Sequence, residues 1–329
     1  MVTACWLYAV SIVGFVVLWI GWPQLPPFLA LISSFAPFLF VPALVVFLLA
    51  GIMRSKSVLI ASGVVSVVFI GLYGPLFLPR LGHLACQASE ELRVMTFNLG
   101  LHLGQPEELL RIIEEQEADI VAVQEMTPEM AWLFEQELGL LYPYNVSAPE
   151  TETTGLFSRY PIVKEEWIEP VGGGRSYIQA VVEWSDEAVT IFVVHPLPPG
   201  LEWYRDTTIP IGLNDINPQR QIEEVTRRAA STKGFVLILG DFNMNEYARG
   251  YSIIAEEFVD AYLEAGWGFG FTFPKGLRVN EMTVPGPFTR VDYIFHSRDL
   301  YANRTWVGCG GGSDHCYVLA ELARMDTKG

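Results

Sequence analysis

The chain has 329 residues, 51% of them hydrophobic, with a formal net charge of −16 and a mean hydropathy of +0.30. It is more apolar than an ordinary soluble protein, so the excess is expected in one region, and its acidity excludes holding a polyanion by bulk charge unless basic residues cluster locally. No pair of its four cysteines has the Cys-x-x-Cys spacing of a structural zinc site.

The apolar excess lies at the front. Residues 1–89 contain no Asp or Glu, and their only basic residues are Arg54, Lys56 and Arg80, a charge of about +3 that leaves about −19 on the remainder. Three apolar stretches, 5–20, 28–51 and 58–78, each approach the ~20 residues that a helix needs to cross a bilayer, and Pro23, Pro26 and Pro27 separate the first from the second. A cleaved signal peptide is the alternative for the first stretch, but that stretch lacks a basic flank and two more come after it. The positive-inside rule places the link bearing Arg54 and Lys56 in the cytoplasm, which puts everything after Leu78 outside. The expected organisation is a three-helix transmembrane region over 1–80, a connector over 81–90 and a catalytic domain over 91–329. Cys5 falls in the first span. In an oxidising compartment two of Cys86, Cys309 and Cys316 could pair, Cys86 with Cys309 if the start and end of the domain lie together.

The connector is short, with Pro, Gly and small residues, and keeps the catalytic domain close to the membrane surface. Residues 91–99 alternate as a strand ending at Asn98, where an amide can donate to a phosphate oxygen or orient a carboxylate. Leu109, Leu110, Ile112 and Ile113 among glutamates predict an amphipathic helix over 106–117. The next strand, 119–124, ends at Glu125, which reads either as a metal ligand or as a solvated strand end. Thr127, Pro128 and Glu129 supply the cap, first-turn proline and first-turn acid of a helix running to 138. A strand over 155–162 breaks at Pro161. The glycine-rich turn 171–174 then leads into two alternating strands, 177–184 and 189–194, whose short polar link makes them antiparallel. The second ends at His195, an imidazole that is either structural or catalytic.

The stretch 196–218 reads as a long, Pro-rich, aromatic loop with Trp203 and Tyr204, and a helix over 219–231 carries Arg220, Arg227 and Arg228. The run Val236-Leu237-Ile238-Leu239-Gly240-Asp241-Phe242-Asn243 comes next, an apolar strand whose glycine turns the chain so that Asp241 and Asn243 emerge together. They suit a metal-bound phosphate and its attacking water, or a plain turn with an Asx cap. Residues 245–258 read as loop and helix. The aromatic, glycine-rich loop 266–273 is either a plug in the core or a substrate platform. A strand over 290–296 has Asp292 near its start. After Gly310-Gly311-Gly312, the run Ser313-Asp314-His315-Cys316 sets an acid and an imidazole at the mouth of a closing strand, 317–322.

The ordered set Asn98, Gln124-Glu125, Ser158-Arg159-Tyr160-Pro161, His195, Gly240-Asp241-Phe242-Asn243, Arg290-x-Asp292-Tyr293-Ile294 and Ser313-Asp314-His315 resembles the endonuclease/exonuclease/phosphatase superfamily, relatives of DNase I and the neutral sphingomyelinases, over about residues 91–323. With its apolar front, the chain is similar to the bacterial membrane-anchored, YafD-like branch. The resemblance implies an α/β fold, a four-layer sandwich of two mixed β-sheets flanked by helices, here preceded by about three transmembrane helices. It also implies Glu125 as the principal ligand of Mg²⁺, with Mn²⁺ as the alternative ion, Asn98 beside it, and Asp314 supporting the metal or His315. His315 becomes the base for water or a phosphate-binding imidazolium, with Asp292 orienting it. Asp241 and Asn243 position the nucleophile, and His195 contacts a phosphate oxygen or protonates the leaving group. Where abasic-site endonucleases of the family have an Asp two residues after the strand-end Asn, this chain has Gly100, which with His195 favours the DNase I and sphingomyelinase side.

The activity so implied is metal-dependent hydrolysis of a phosphoester, a lipid headgroup among them, by a multi-pass protein at the extracytoplasmic face of the bilayer. A membrane-tethered DNase I-like nuclease is the alternative, opposed by the charge of about −19. A catalytically inactive anchored binding module is the second alternative, opposed by the completeness of the motif set. Basic side chains flanking the rim would point to nucleic acid; Trp203, Tyr204 and the 267–273 loop facing the bilayer would point to lipid.

Overall fold

A computed structural model of the chain describes residues 2–22, 25–53, 55–78, 90–101, 103–147, 154–171, 173–205, 210–279 and 282–325. The chain divides into two compact units, one formed by residues 1–79, 200–214 and 247–249 and the other by the rest.

In the first unit, Val2–Gly21 and Lys56–Phe77 are each long and apolar enough to cross a membrane. The second predicted stretch is not one straight helix. Pro27–Ser33 and Ala36–Gly51 meet at an angle of 75°, and Pro37 lies in the first turn of the 3-10 helix Ala36–Phe40 that comes after the break, where a proline cannot continue the preceding ladder. The unit therefore holds two candidate spans, or three if the bent pair makes one. The stretch expected to be a loop over 196–218 contains a two-stranded antiparallel hairpin, Gly200–Trp203 with Pro210–Asn214. Three apolar residues of the hairpin, Leu201, Trp203 and Ile211, are exposed. The sequence hid these strands because both are short, Pro210 opens the second, and prolines and polar residues surround the pair.

The second unit is built on two six-stranded mixed sheets. In the first, Glu91–Asn98 lies between Ile120–Gln124, to which it is parallel, and Cys316–Arg324, to which it is antiparallel. In the second, Phe235–Asp241 lies between Glu187–Val194, parallel, and Asp292–His296, antiparallel. Period-two alternation sorts the side chains. Leu92 and Val94 join Ile178, Ile191, Leu237, Leu239 and Ile294 in the core that both sheets share. Met95 and Phe97 face the other way, into a second core with Leu109 and Ile113 of Pro106–Glu115 and Met130 and Phe134 of Pro128–Leu138. Thr127 caps the latter helix, accepting from Met130 N at 3.2 Å. The helix Ile216–Ala230 buries Ile222, Val225 and Ala229. The sandwich of two mixed sheets flanked by helices is thus the architecture expected.

The cysteines do not pair as Cys86 with Cys309. Cys309 is bonded to Cys316, because the two stand directly opposite in the ladder between Leu300–Cys309 and Cys316–Arg324, and Cys86 lies outside the described residues.

Gly240 is the tightest point of the central strand. Its φ is +152°, and a methyl there would stand 1.9 Å from the carbonyl oxygen of Val194 in the parallel neighbour. Gly240→Ala is expected to cost about 3 kcal/mol or more through strain and displacement of the ladder, seen as a fall in Tm together with loss of protection of the 235–241 amides in hydrogen exchange. An unchanged Tm would show that the strand has room to spare.

Candidate active site

Register puts the polar residues in one row. Asn98 pairs with Gln124, so Glu125 stands at the adjacent strand end. Gly240 pairs with Val194, so His195 lies beside Asp241, and Asp241 in turn pairs with Asp292. Backbone turns complete the presentation: Glu125 (φ +57°) and Asn243 (φ +52°) both adopt the left-handed region, which turns the chain away at each strand end.

Asn98 links the two sheets, its Nδ2 donating to Asp241 Oδ2 at 3.0 Å while its Oδ1 accepts from Gly100 N at 3.0 Å. Asp241 Oδ1 accepts from Asn243 N at 2.8 Å, and Asn243 Nδ2 donates to the Pro196 carbonyl at 3.0 Å. His315 Nδ1 meets Asp292 Oδ2 at 3.0 Å, with His315 Nε2 3.9 Å from Asp241 Oδ2. His195 Nε2 stands 3.5 Å from Asp241 Oδ2 and 3.7 Å from Glu125 Oε1. Asn98, His195, Asp241, Asp292 and His315 are buried, and Glu125 and Asp314 are half-buried. The site therefore brings together every residue singled out in the sequence except Asp314, for which the structure shows no side-chain hydrogen bond into the row among the described residues. Gly100 sits in a tight place: its φ is +72°, and a Cβ there would come within 3.1 Å of both Asp314 Oδ1 and Ser313 Oγ, so a larger residue would press on the turn that delivers His315.

The environment separates the two imidazoles. Burial, reinforced by the positive charges of Arg175 and His315, holds His195 well below the ordinary histidine range. Burial also opposes charge on His315, but Asp292 and Asp241 outweigh it and push His315 up to about 10. Burial raises Asp241 to about 7, aided by Asp292 and opposed by His315 and by the N–H groups of Asn243 and Asn98. One imidazole is thus neutral and the other cationic at neutral pH.

Arg175 escaped the sequence reading, and the roles of Ser313, Thr272 and Phe273 were not assigned by it. Arg175 Nη1 lies 2.5 Å from His195 Nε2, supplying the basic group that no sequence neighbour of Asp241 provides. Its signal was an arginine set between a glycine turn and a strand; Gly174 adopts a φ of +137°, which favours glycine. Ser313 Oγ donates to Asn98 O at 2.8 Å and accepts from His315 N at 2.9 Å. Thr272 Oγ1 accepts from the amides of Val291 and Asp292, and the Phe273 ring packs against His315 with centroids 4.5 Å apart. The aromatic loop is therefore part plug, through Phe273, while Trp267 stays exposed.

Residues 95–315 match the Endonuclease/Exonuclease/phosphatase family. Among solved structures, TDP2 of D. rerio complexed with single strand DNA product is 15% identical with a TM-score of 0.57, the match covering 71% of this chain and 99% of that one. An endonuclease/exonuclease/phosphatase from Bacteroides vulgatus is 15% identical with a TM-score of 0.56, over 72% and 100%. Truncated TDP2 of Caenorhabditis elegans is 17% identical with a TM-score of 0.56, over 72% and 100%. At these identities the likeness shows the fold. No curated protein matches.

The pH dependence of stability comes from these shifts. A raised histidine contributes stability that is whole below its unfolded value of about 6.5 and is lost as pH rises toward about 10. A buried aspartate raised to about 7 adds a penalty that grows as pH climbs from its unfolded value of about 4. In the presence of chelator both effects make the protein less stable with rising pH. Asp292→Asn removes the partner of His315, so the stability gap between wild type and variant, followed by denaturant unfolding, should be widest near pH 6, on the order of a few kcal/mol, and should close toward pH 10. A gap that does not change with pH would refute the charged pair.

Proposed function

The chain belongs to the endonuclease/exonuclease/phosphatase family of hydrolases, and we propose that it is a membrane-anchored, divalent-metal-dependent phosphodiesterase acting on a phosphoester at the extracytoplasmic membrane surface, with a phospholipid headgroup as the favoured substrate. The observation that carries the reading is the continuous polar row from Glu125 through His195 and Asp241 to His315 and Asp292, held between two sheets with one imidazole neutral and one charged. Membership in the YafD-like branch and export of everything after Leu78 belong to the same proposal, supported by the apolar helices and the basic link.

The donor set fits a hard divalent cation such as Mg²⁺, with Mn²⁺ as the alternative, because it offers carboxylate and amide oxygens and no thiolate. We propose that Glu125 with Asn98 holds the ion, and that Asp314, which stands outside the hydrogen-bonded row, supports the ion or His315. Ligand atoms of Asp241, Asp292 and His315 also lie within 4.8 Å of one another, a second candidate place for the ion, although Asp292 and His315 already bond each other there. When bound, the cation polarises a phosphoryl oxygen and offsets charge that builds on it. Asp241, raised toward neutrality and oriented by Asn98 and Asn243, suits accepting a proton from an attacking water. His315, kept cationic by Asp292, suits donating from Nε2 toward an anionic phosphoryl oxygen, which favours the imidazolium account over the base. His195 is neutral and accepts from Arg175, so it orients that guanidinium toward phosphate better than it protonates a leaving group.

A tethered nuclease is the second reading, suggested by the DNA product bound to the D. rerio relative. A panel of phospholipids, sugar phosphates and DNA tested on the purified full-length protein decides between them: turnover of a headgroup diester supports the first reading, turnover of DNA alone supports the second, and no turnover leaves an inactive binding module. Activity is expected to vanish in EDTA and return with Mg²⁺. Glu125→Gln should lower kcat by about 10²-fold or more with little change in Tm; full turnover in EDTA would defeat the metal requirement.

His315→Ala and Asp292→Asn should each lower kcat by about 10²–10⁴-fold. The double variant should be little worse than His315→Ala, because Asp292 has nothing to hold once the imidazole is gone. Additive losses would show that the two act separately.

A further inference from the structure

Six residues separate the bonded cysteines, and they are Gly310, Gly311, Gly312, Ser313, Asp314 and His315. The disulfide therefore brackets the turn that delivers His315. That turn is built from the residues with the most backbone freedom: Gly311 and Gly312 adopt φ of +63° and +75°, since a Cβ would meet Leu109 at 2.4 Å or the Leu103 carbonyl at 2.8 Å. Its backbone anchors are the bond from Gln105 N to Gly311 O at 2.7 Å, from Lys275 N to Asp314 O at 2.7 Å and from Cys316 N to Thr272 O at 2.8 Å. Cys309 and Cys316 are the last opposed pair of their ladder, where strands fray first, and His315 is the residue next to Cys316. Cys309 is exposed while Cys316 is buried.

We propose that the Cys309–Cys316 bond is a positioning element of the proposed phosphoester hydrolysis: it holds the Ser313–His315 turn in register with Asp292 and Asp241, so that the enzyme is competent only where thiols are oxidised. The inference rests on the reading of His315 as a catalytic group. An external dithiol switches the site off by exchange. Its thiolate attacks the exposed Cys309 Sγ, the S–S bond breaks, and Cys316 leaves as a thiolate that takes a proton. The second thiol then displaces Cys309, which also takes a proton, and the reagent departs as a disulfide. Two electrons and two protons pass to the protein. Freed of the bond, the glycine turn relaxes and His315 moves off Asp292; a misplacement of about 1 Å is enough to cost about 10²-fold in rate.

The test uses full-length protein in detergent, oxidised or treated with dithiothreitol, with mass spectrometry of alkylated peptides reporting the state of Cys309 and Cys316. Reduction is expected to lower kcat about 10- to 100-fold with KM changed less than about twofold, and reoxidation should restore it. The ring resonances of His315 in NMR should shift or broaden, and exchange of the 310–316 amides should quicken while the 235–241 amides stay protected. The variant Cys309→Ser with Cys316→Ala should match the reduced enzyme and ignore dithiothreitol; if it does not fold, reversible reduction of the wild type still decides. Unchanged kcat, His315 resonances and amide exchange on reduction would overturn the proposal. If the oxidised protein hydrolyses nothing in the panel, the phosphoesterase reading has failed, and the resonance and exchange data still settle whether the bond positions the turn.

Discussion

Two carboxylates are buried side by side. Asp241 and Asp292 pair across adjacent strands, and both are almost completely shielded from water. Two anions in such a place repel each other and lose their hydration, a combination that proteins tolerate only with a cation or with protonation. The imidazole of His315 meets the need by contacting both, and Asp241 gains two further donors from Asn98 and Asn243. Asp292 Oδ1 still has no hydrogen-bond partner among the described residues. The same constraint fixes the second imidazole. With His315 cationic and Arg175 touching it, His195 gains nothing from a proton and stays neutral. One unfavourable juxtaposition thus assigns opposite charge states to two histidines a few ångströms from the same aspartate.

The sheets make that juxtaposition unavoidable. Parallel pairing of Phe235–Asp241 with Glu187–Val194 and antiparallel pairing with Asp292–His296 bring three chain segments to one edge, and a slip of one residue would turn every polar end group into the core. Gly240 lets the strands close at that edge, and the Asn98 amide joins the second sheet's site to the first. Likeness at 15–17% identity to solved structures fits this picture, since the register is what such relatives can share while nearly all side chains differ. The chemistry must then be argued from the few residues at the edge.

Strand-end polar residues were legible in sequence because an apolar run followed by Asn, Glu, His or Asp is a local pattern. The sandwich was legible from motif order rather than from periodicity alone. What the sequence concealed was contact between distant segments. Arg175 comes after a glycine turn and resembles any surface arginine, yet it reaches His195 twenty residues on. The sequence left any two of Cys86, Cys309 and Cys316 free to pair, and only the pairing of the strands sets Cys309 opposite Cys316, seven residues away. The hairpin in 200–214 was masked by Pro210 and by the polar residues at its tip, and the bend before Pro37 was masked by an apolar composition that hydropathy alone reads as continuous. Phe273 could not be divided from the rest of its aromatic loop, because burial against His315 depends on a fold that brings the two together.

The distribution of charge bears on which phosphoester fits. About −19 resides on the sequence after the apolar front, whereas the site sets Arg175 beside His195 and His315 beside Asp292 and Asp241. Screening at physiological salt confines surface repulsion to about 8 Å, so a ligand with a single phosphodiester feels mainly the groups of the site and, on the proposed reading, a bound metal. A polynucleotide extends its charge far beyond that range and meets acidic surface along its length, losing at each further phosphate part of what it gains at the first. An anchored enzyme has no need of long-range steering when its substrate is held in the same bilayer, because confinement supplies the local concentration that electrostatic attraction supplies elsewhere. On the proposed reading, a strongly acidic exterior therefore suits a monomeric phosphoester delivered along a surface better than a polyanion captured from solution.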